Sequence, residues 1–328
     1  VSRLIRIVSR GDTTVVDAYL SPVLKRYIER IRGGISDEDC RTFFMQSHGG
    51  LIDASLFRGK DCILSGPAGG VIGGVGISRN TGFDKVITFD MGGTSTDVAH
   101  FSGEYERTYD SCIAGARIRS PMLRMNTVAA GGGSILTLRD GRLQVGPESA
   151  GADPGPMCYR KGGPLTVTDC NVLLGRIQPD LFPKVFGLEG NEGIDTGIIK
   201  RGFQELSDEI EKGTGNKMTP EEIAEGALDI AIENMAQAIK NISVQRGFDP
   251  ADHILCSFGG AGGQHACRIA DRLGIGKILI HPMAGVLSAL GMGMASVRIV
   301  KEMSLEVPLD RFKEEGFQHL EMAVIGFP

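Results

Sequence analysis

Residues 85–101 read KVITFDMGGTSTDVAHF, two runs of β-character separated by a Gly-Gly turn. A continuous apolar run enters the turn and β-character resumes at Thr96, which predicts strand–turn–strand and not strand–turn–helix. The first run is apolar enough to be buried, so this hairpin has to lie inside a sheet. Gly92 and Gly93 carry no side chain to keep an anion from the backbone N–H groups, and Thr94, Ser95 and Thr96 add hydroxyl donors suited to a di- or triphosphate. Asp90 and Asp97 flank the turn. Two carboxylates would repel bare phosphate, so the D-x-GG-T-x-x-D arrangement calls for a divalent cation between them and a nucleotide. Asp90, at the end of a buried strand, can hold Mg2+ through water or orient a nucleophile.

The rest of the chain has the alternation of an α/β protein. Spacing of Val16, Leu20, Val23, Leu24, Tyr27 and Ile31 predicts a helix over 14–32, bent or restarted at Ser21-Pro22. Strands are expected at 42–47 and 60–64, followed by a helix of small residues from Ser65 to about Gly82 able to pack close to a sheet. Further strands are expected at 114–119 and 134–145, the second turned by Asp140-Gly141. Thr219-Pro220-Glu221-Glu222 opens the clearest helix, with a capping box and proline at the first position. Its apolar positions from Ile223 to Ile242 are read as core. A strand at 253–258, a helix at 264–273, a strand at 277–280 and a helix around 285–296 complete the pattern.

Glycine, 47 of 328 residues, is about twice its usual frequency of roughly 7% and clusters in short loops between apolar segments. A net charge of −5 and the lack of a basic stripe argue against nucleic acid. No run approaches the ~20 apolar residues of a membrane span. Seven scattered cysteines without a CxxC pair predict reduced thiols and a cytoplasmic protein.

Other segments offer chemistry with less specificity. Ser257–Gln264 (SFGGAGGQ) follows a strand and opens a helix, placing N–H groups of Gly259, Gly260, Ala261 and Gly262 toward an anion or a flat ring. It does not match G-x-G-x-x-G, which disfavours a dinucleotide fold. Gly131, Gly132, Gly133 and Ser134 form either a second anion nest or a bend between strands. The loop 146–156, with Glu148, Ser149 and Asp153, suits a substrate or subunit contact. Asp169 and Asn171 can ligate a hard cation, or Asp169 can cap the following helix. His265 and His281 read as packed histidines, and Cys170 and Cys267 as small buried hydrophobes.

With these residues in view, the chain resembles the hydantoinase A/5-oxoprolinase family, a branch of the actin-like ATPase superfamily that includes hexokinase. The landmarks run in order from GDTTVVDAYLSPVL through FFMQSHGGL, ILSGPAGGVIGG, FDMGGTSTDV, TVAAGGGSI, VGPESAGADPGP, LTVTDCNVLLGR, ISVQRGFDP and FGGAGGQHA to GVLSALGMG. GEYERT, CYRKGGPLTVTDCN and FGGAGGQHAC are most similar to the ATP-hydrolysing oxoprolinase branch. The resemblance implies an actin-like (ribonuclease H-like) fold. Residues 1–84 would be the end of domain I with its connecting helix, 85–305 would be domain II with a mixed sheet flanked by helices, and 306–328 the start of a following segment. It implies ATP and Mg2+, with K+ as a further ion, at Asp90–Asp97 as second phosphate motif and Phe258–Gly263 as adenosine motif. It also implies a small cyclic-amide substrate, a hydantoinase B-type domain or subunit, and homo-oligomers. The reaction implied is phosphorylation of the lactam oxygen of 5-oxo-L-proline and hydrolysis to L-glutamate. N-methylhydantoinase and an acetone-carboxylase-type subunit are the sister alternatives. A conformational ATPase and a nucleotide-binding module without turnover are alternatives of other classes. Nothing before Asp90 matches the family's first phosphate hairpin, so the chain is expected to be a fragment, weak or inactive by itself.

Overall fold

The computed structural model describes residues 7–37 and 39–300. Along the chain come α1 (Ile7–Gly33), β1 (Phe43–Met45), β2 (Leu51–Asp53), α2 (Ser65–Asn80), β3 (Lys85–Met91) and β4 (Thr96–Ser102). Next are β5 (Arg107–Ile113), β6 (Ala116–Leu123), β7 (Asn126–Val128), β8 (Ser134–Arg139), β9 (Arg142–Ser149) and α3 (Val167–Leu173). The remainder is α4 (Thr196–Thr214), α5 (Pro220–Ile242), β10 (Ile254–Phe258), α6 (Ala266–Leu273), β11 (Ile278–Leu279) and α7 (Leu287–Met294). No helix among the described residues is long and apolar enough to cross a membrane.

Contacts divide the chain into two compact units that are discontinuous in sequence. Among the described residues, one holds 7–68, Arg107–Leu123 and 295–300; the other holds Gly69–Glu106 and Arg124–Met294. This differs from the contiguous division expected at 84/85, because the β5–β6 hairpin packs with α1. The segment 306–328 lies outside the described residues.

In the first unit, Thr13 Oγ1 accepts from Arg119 N at 2.9 Å, and Asp17 Oδ1 accepts from Lys60 N at 2.9 Å. No strand forms at the expected 60–64: Gly59–Asp61 is a 3-10 turn that meets α1, and residues 62–64 are a bend and turn leading into α2. Helix α1 also runs unbroken through Pro22, so Ser21-Pro22 does not end a helix here.

The second unit is built on a mixed sheet of order β11-β10-β3-β4-β7, with β11, β10 and β3 parallel and β3, β4 and β7 antiparallel. Alternation sends Ile87, Phe89 and Leu255 into one core with Ile223, Leu228, Ile232 and Met235 of α5. The other sheet face carries α2. A Cβ on Gly74 would stand 3.1 Å from Thr88, and one on Gly73 would stand 2.7 Å from the Leu287 carbonyl of α7. The small residues of α2 thus let it press on the sheet and on α7, as their spacing predicts. The capping box of α5 is present, with Glu222 N donating to Thr219 Oγ1 at 3.2 Å and Thr219 N to Glu222 at 2.8 Å. Helix α4 has no counterpart in the sequence reading. Asp195 caps it, accepting from Gly197 N and Ile198 N, and its Ile199, Phe203 and Ile210 are buried. Cys267 of α6 is exposed, against expectation, whereas Cys170 is buried.

Candidate functional site

Strands β3 and β10 are parallel neighbours with Asp90 opposite Phe258, so both deliver their C-terminal ends to one edge of the sheet. In open α/β sheets this is the edge that presents loops to ligands. The hairpin follows β3 there. Asp90 faces Asp97 across the ladder, Met91 faces Thr96, and Gly92 N donates to Ser95 O at 3.1 Å. Gly93 and Thr94 at the tip are exposed. A Cβ on Gly93 would meet nothing within 4 Å, and its φ lies outside the left-handed region. The fold therefore does not require glycine at the tip.

The Gly259–Gly262 turn follows β10 and touches the hairpin from the side. Gly259 has φ +83°, and a Cβ there would stand 2.5 Å from Asp90 Oδ1. Gly259 N donates to Ala284 O at 3.1 Å and Ala261 N to Met91 O at 3.0 Å, so these two N–H groups, against expectation, are not open to an anion. Gly260 is exposed, while Ala261 and Gly262 are buried. Hairpin and turn are thus brought together, with Asp90 between them.

Gly131, Gly132, Gly133 and Ser134 are also brought here, but underneath. Gly132 N donates to Gly92 O at 3.1 Å and Gly133 N to Gly93 O at 2.6 Å. Gly131 N donates to Ser134 Oγ at 2.9 Å and Ser134 N to Gly131 O at 3.1 Å. All four N–H groups are occupied and all four residues are buried, so the segment is a support for the hairpin tip and not an open anion nest. A Cβ on Gly131 would stand 2.7 Å from the Gly93 carbonyl, which explains the glycine. The Thr96 hydroxyl is buried as well and donates to Ala130 O at 2.6 Å, leaving Thr94 and Ser95 as the accessible hydroxyls.

The carboxylates of Asp90 and Asp97 are half-buried. Burial pushes the Asp90 carboxyl up to about 6, with the like charge of Asp97 adding to the rise and a hydrogen bond from Ser288 of α7 opposing it. Burial also raises Asp97, against the Thr127 hydroxyl, which donates to Asp97 Oδ1 at 2.5 Å. Two partly desolvated like charges beside an open glycine tip form a donor set that suits Mg2+. That ion takes one or two carboxylates and completes its shell with water and phosphate oxygens. Among the described residues no three His, Cys, Asp or Glu side chains gather as a closed metal cage.

Asp169 does not join this pair. Its carboxylate accepts from Met157 N at 3.1 Å, Cys158 N at 2.9 Å, Thr166 N at 2.8 Å and Thr166 Oγ1 at 2.8 Å, and the residue is fully buried. With its oxygens engaged by four donors, Asp169 is a capping residue and not an available metal ligand. It sits at the third helical position of α3, and Thr166 is the N-cap, a shift of three residues from the cap expected. His265 is buried, and His281 Nδ1 accepts from Met283 N at 3.1 Å. Sequence reasoning missed Thr127 and Ser288, the two hydroxyls that orient the carboxylates. Each lies on an element distant in sequence, and no local pattern marks it.

The sequence profile of a family described as hydantoinase/oxoprolinase matches residues 10–301. A 5-oxoprolinase of Saccharomyces cerevisiae is 48% identical over 304 residues, 90% of this chain and 23% of that protein. The crystal structure of an ATP-dependent caprolactamase from Pseudomonas jessenii shares 34% identity at a TM-score of 0.78, covering 98% of this chain and 47% of that one. A nucleotide-free acetone carboxylase structure shares 27% identity at a TM-score of 0.75, over 98% of this chain and 45% of that one. The chain therefore spans about a quarter of the length of the yeast relative and about half of each structural one. By its sequence profile and the identity it shares across most of its length, the chain belongs to the hydantoinase/oxoprolinase family.

Proposed function

We propose that this chain carries part of the nucleotide site of an ATP-dependent cyclic-amide hydrolase, with 5-oxo-L-proline as substrate. The observation that carries the reading is the Asp90–Asp97 carboxylate pair between an open glycine hairpin and the Gly259–Gly262 turn. The names of the relatives, 5-oxoprolinase and ATP-dependent caprolactamase, support the substrate class. Their resemblance also supports reading the second unit as the second domain of an actin-like ATPase.

In this reading the tip at Gly93 and Thr94 lets phosphate oxygens approach the backbone. Asp90 and Asp97, oriented by Ser288 and Thr127, hold the cation. Mg2+, when bound, supplies positive charge to the phosphoryl group in transfer. An amide carbonyl is a poor electrophile. Transfer of the γ-phosphoryl group to the lactam oxygen releases ADP and activates the carbon; one water adds there and the C–N bond opens to leave an acyl phosphate, which a second water hydrolyses to L-glutamate and phosphate.

The test is ADP release by the full-length protein with 5-oxoproline, N-methylhydantoin, caprolactam, or acetone plus bicarbonate. Stimulation by 5-oxoproline alone is expected. Stimulation only by acetone with bicarbonate, the alternative favoured by the acetone carboxylase likeness, overturns the lactam reading. Turnover indifferent to every substrate would identify a conformational ATPase instead.

A further inference from the structure

Helix α3 touches both glycine-rich segments of the site. Near its start, Thr168 N and Thr168 Oγ1 both donate to Gly132 O, at 2.8 and 2.9 Å, in the loop that supports the hairpin tip. One turn later Asn171, fully buried, reaches the other segment. Its Nδ2 stands 3.0 Å from Gln264 Oε1, 3.2 Å from Val167 O and 3.3 Å from His265 Nε2.

The Val167 carbonyl, a backbone acceptor, fixes which way the Asn171 carboxamide faces, and its second amide hydrogen is left for Gln264 Oε1. Reversing it would set its oxygen against the Val167 carbonyl and the Gln264 oxygen. Burial, with smaller contributions from Arg176 and Arg268, pushes the His265 imidazole down to about 4, so the ring stays neutral and the cluster does not titrate near neutral pH.

The consequence falls on Gln264. Its oxygen is engaged by Asn171, so the carboxamide has its N–H2 donors left to offer. Gln264 is half-buried beside the exposed Gly263. Across 259–265 the residues are Gly, Gly, Ala, Gly, Gly, Gln and His, and the histidine is fully buried. Gln264 is therefore the side chain of this turn able to hydrogen-bond a ligand. We infer that Gln264 contacts the bound nucleotide, donating to one of its acceptor oxygens, and that Asn171 and His265 are positioning residues acting through Gln264. The inference rests on the nucleotide reading above.

Steady-state kinetics on the full-length protein at saturating lactam test it. Gln264→Ala is expected to raise KM for ATP about tenfold, the scale of one hydrogen bond made by a ligand in a partly desolvated site, while kcat changes by less than about threefold. Gln264→Glu, which replaces the donors by a negative charge, is expected to raise KM further. Asn171→Ala should move KM for ATP in the same direction. The double variant should be no worse than Gln264→Ala, since both act on one contact. With 2′-deoxy-ATP the penalty of Gln264→Ala disappears if the acceptor is the ribose hydroxyl and persists if it is a phosphate oxygen.

An unchanged KM for ATP in both Gln264 variants overturns the inference, as does strict additivity in the double variant. If Asn171→Ala does not fold, the two Gln264 variants decide the contact, and Asn171→Ser replaces it in the cycle. Absence of any nucleotide-dependent turnover in the unaltered protein overturns the inference together with the function. Turnover that ignores Gln264 overturns the inference alone.

Discussion

Asp90 is where sequence and environment pull hardest against each other. Its carboxyl is held at about 6 by burial first and by Asp97 second. A carboxyl whose folded pKa lies above the unfolded value binds its proton more tightly in the folded state. Its contribution to stability is therefore full at low pH and is lost as pH rises from about 4 to about 6. That interval corresponds to on the order of 2–3 kcal/mol. In chelator-treated protein, Asp90→Asn is expected to melt higher than the unaltered chain at about pH 7.5, with the gap closing near pH 4; a gap independent of pH would refute the assignment. Millimolar Mg2+ should raise the melting temperature at about pH 7.5 and hardly at pH 5, where protons compete for the carboxylate, and should do neither in Asp90→Asn. Asp90 and Asp97 were legible from the octet they flank. Ser288 and Thr127, which set their orientation, were not, since a hydroxyl becomes a carboxylate partner only when folding brings it there.

At the scale of elements, the hairpin and its support separate fold from binding. The tip glycine, Gly93, faces open space, whereas Gly131 presses on the Gly93 carbonyl. Gly93→Ala is therefore expected to keep the melting temperature within about 2 °C, under roughly 1 kcal/mol for a domain of this size, yet to weaken ATP binding at least tenfold by calorimetry. Gly131→Ala forces backbone atoms apart and should cost about 1–3 kcal/mol, the usual range for overpacking, along with binding. Equal destabilisation by the two substitutions would contradict this division of labour. The sequence could show that 131–134 was either a nest or a bend. Its N–H groups chose the bend, because Gly92 and Gly93 carbonyls needed donors that only this segment supplies. In the same way, capping decided Asp169: backbone donors at Met157 and Cys158 approach from a segment whose path the residues around Asp169 do not encode.

For the whole molecule, burial sorts the seven free thiols into classes that chemistry can count. Cys40, Cys112 and Cys267 are exposed, Cys62 is half-buried, and Cys158, Cys170 and Cys256 are buried. Burial pushes the Cys256 thiol up to about 11 and raises the other two buried thiols as well. Alkylation of the native protein near neutral pH, followed by peptide mass spectrometry, should modify the three exposed residues first and the three buried ones only after unfolding. Early modification of Cys256 would show that β10 is not the interior strand described. The exposed Cys267 illustrates the limit of composition: cysteine is usually buried, but its place on α6 was set by which helix face Ile269 and Leu273 turned to the core.

Local physics in the sequence alone determined the mixed α/β character, the hairpin at 85–101, the capped helix from Thr219 and the close-packing small-residue helix. Hydrophobic period, turn residues and caps act over a few residues, so they are written in a few residues. Only the tertiary structure decided that β3 and β10 end side by side, that two distant hydroxyls orient the acidic pair, and that Asn171 faces Gln264. Those relations join positions tens to hundreds of residues apart, and they exist only once burial of the common core has paid the entropy of bringing them together.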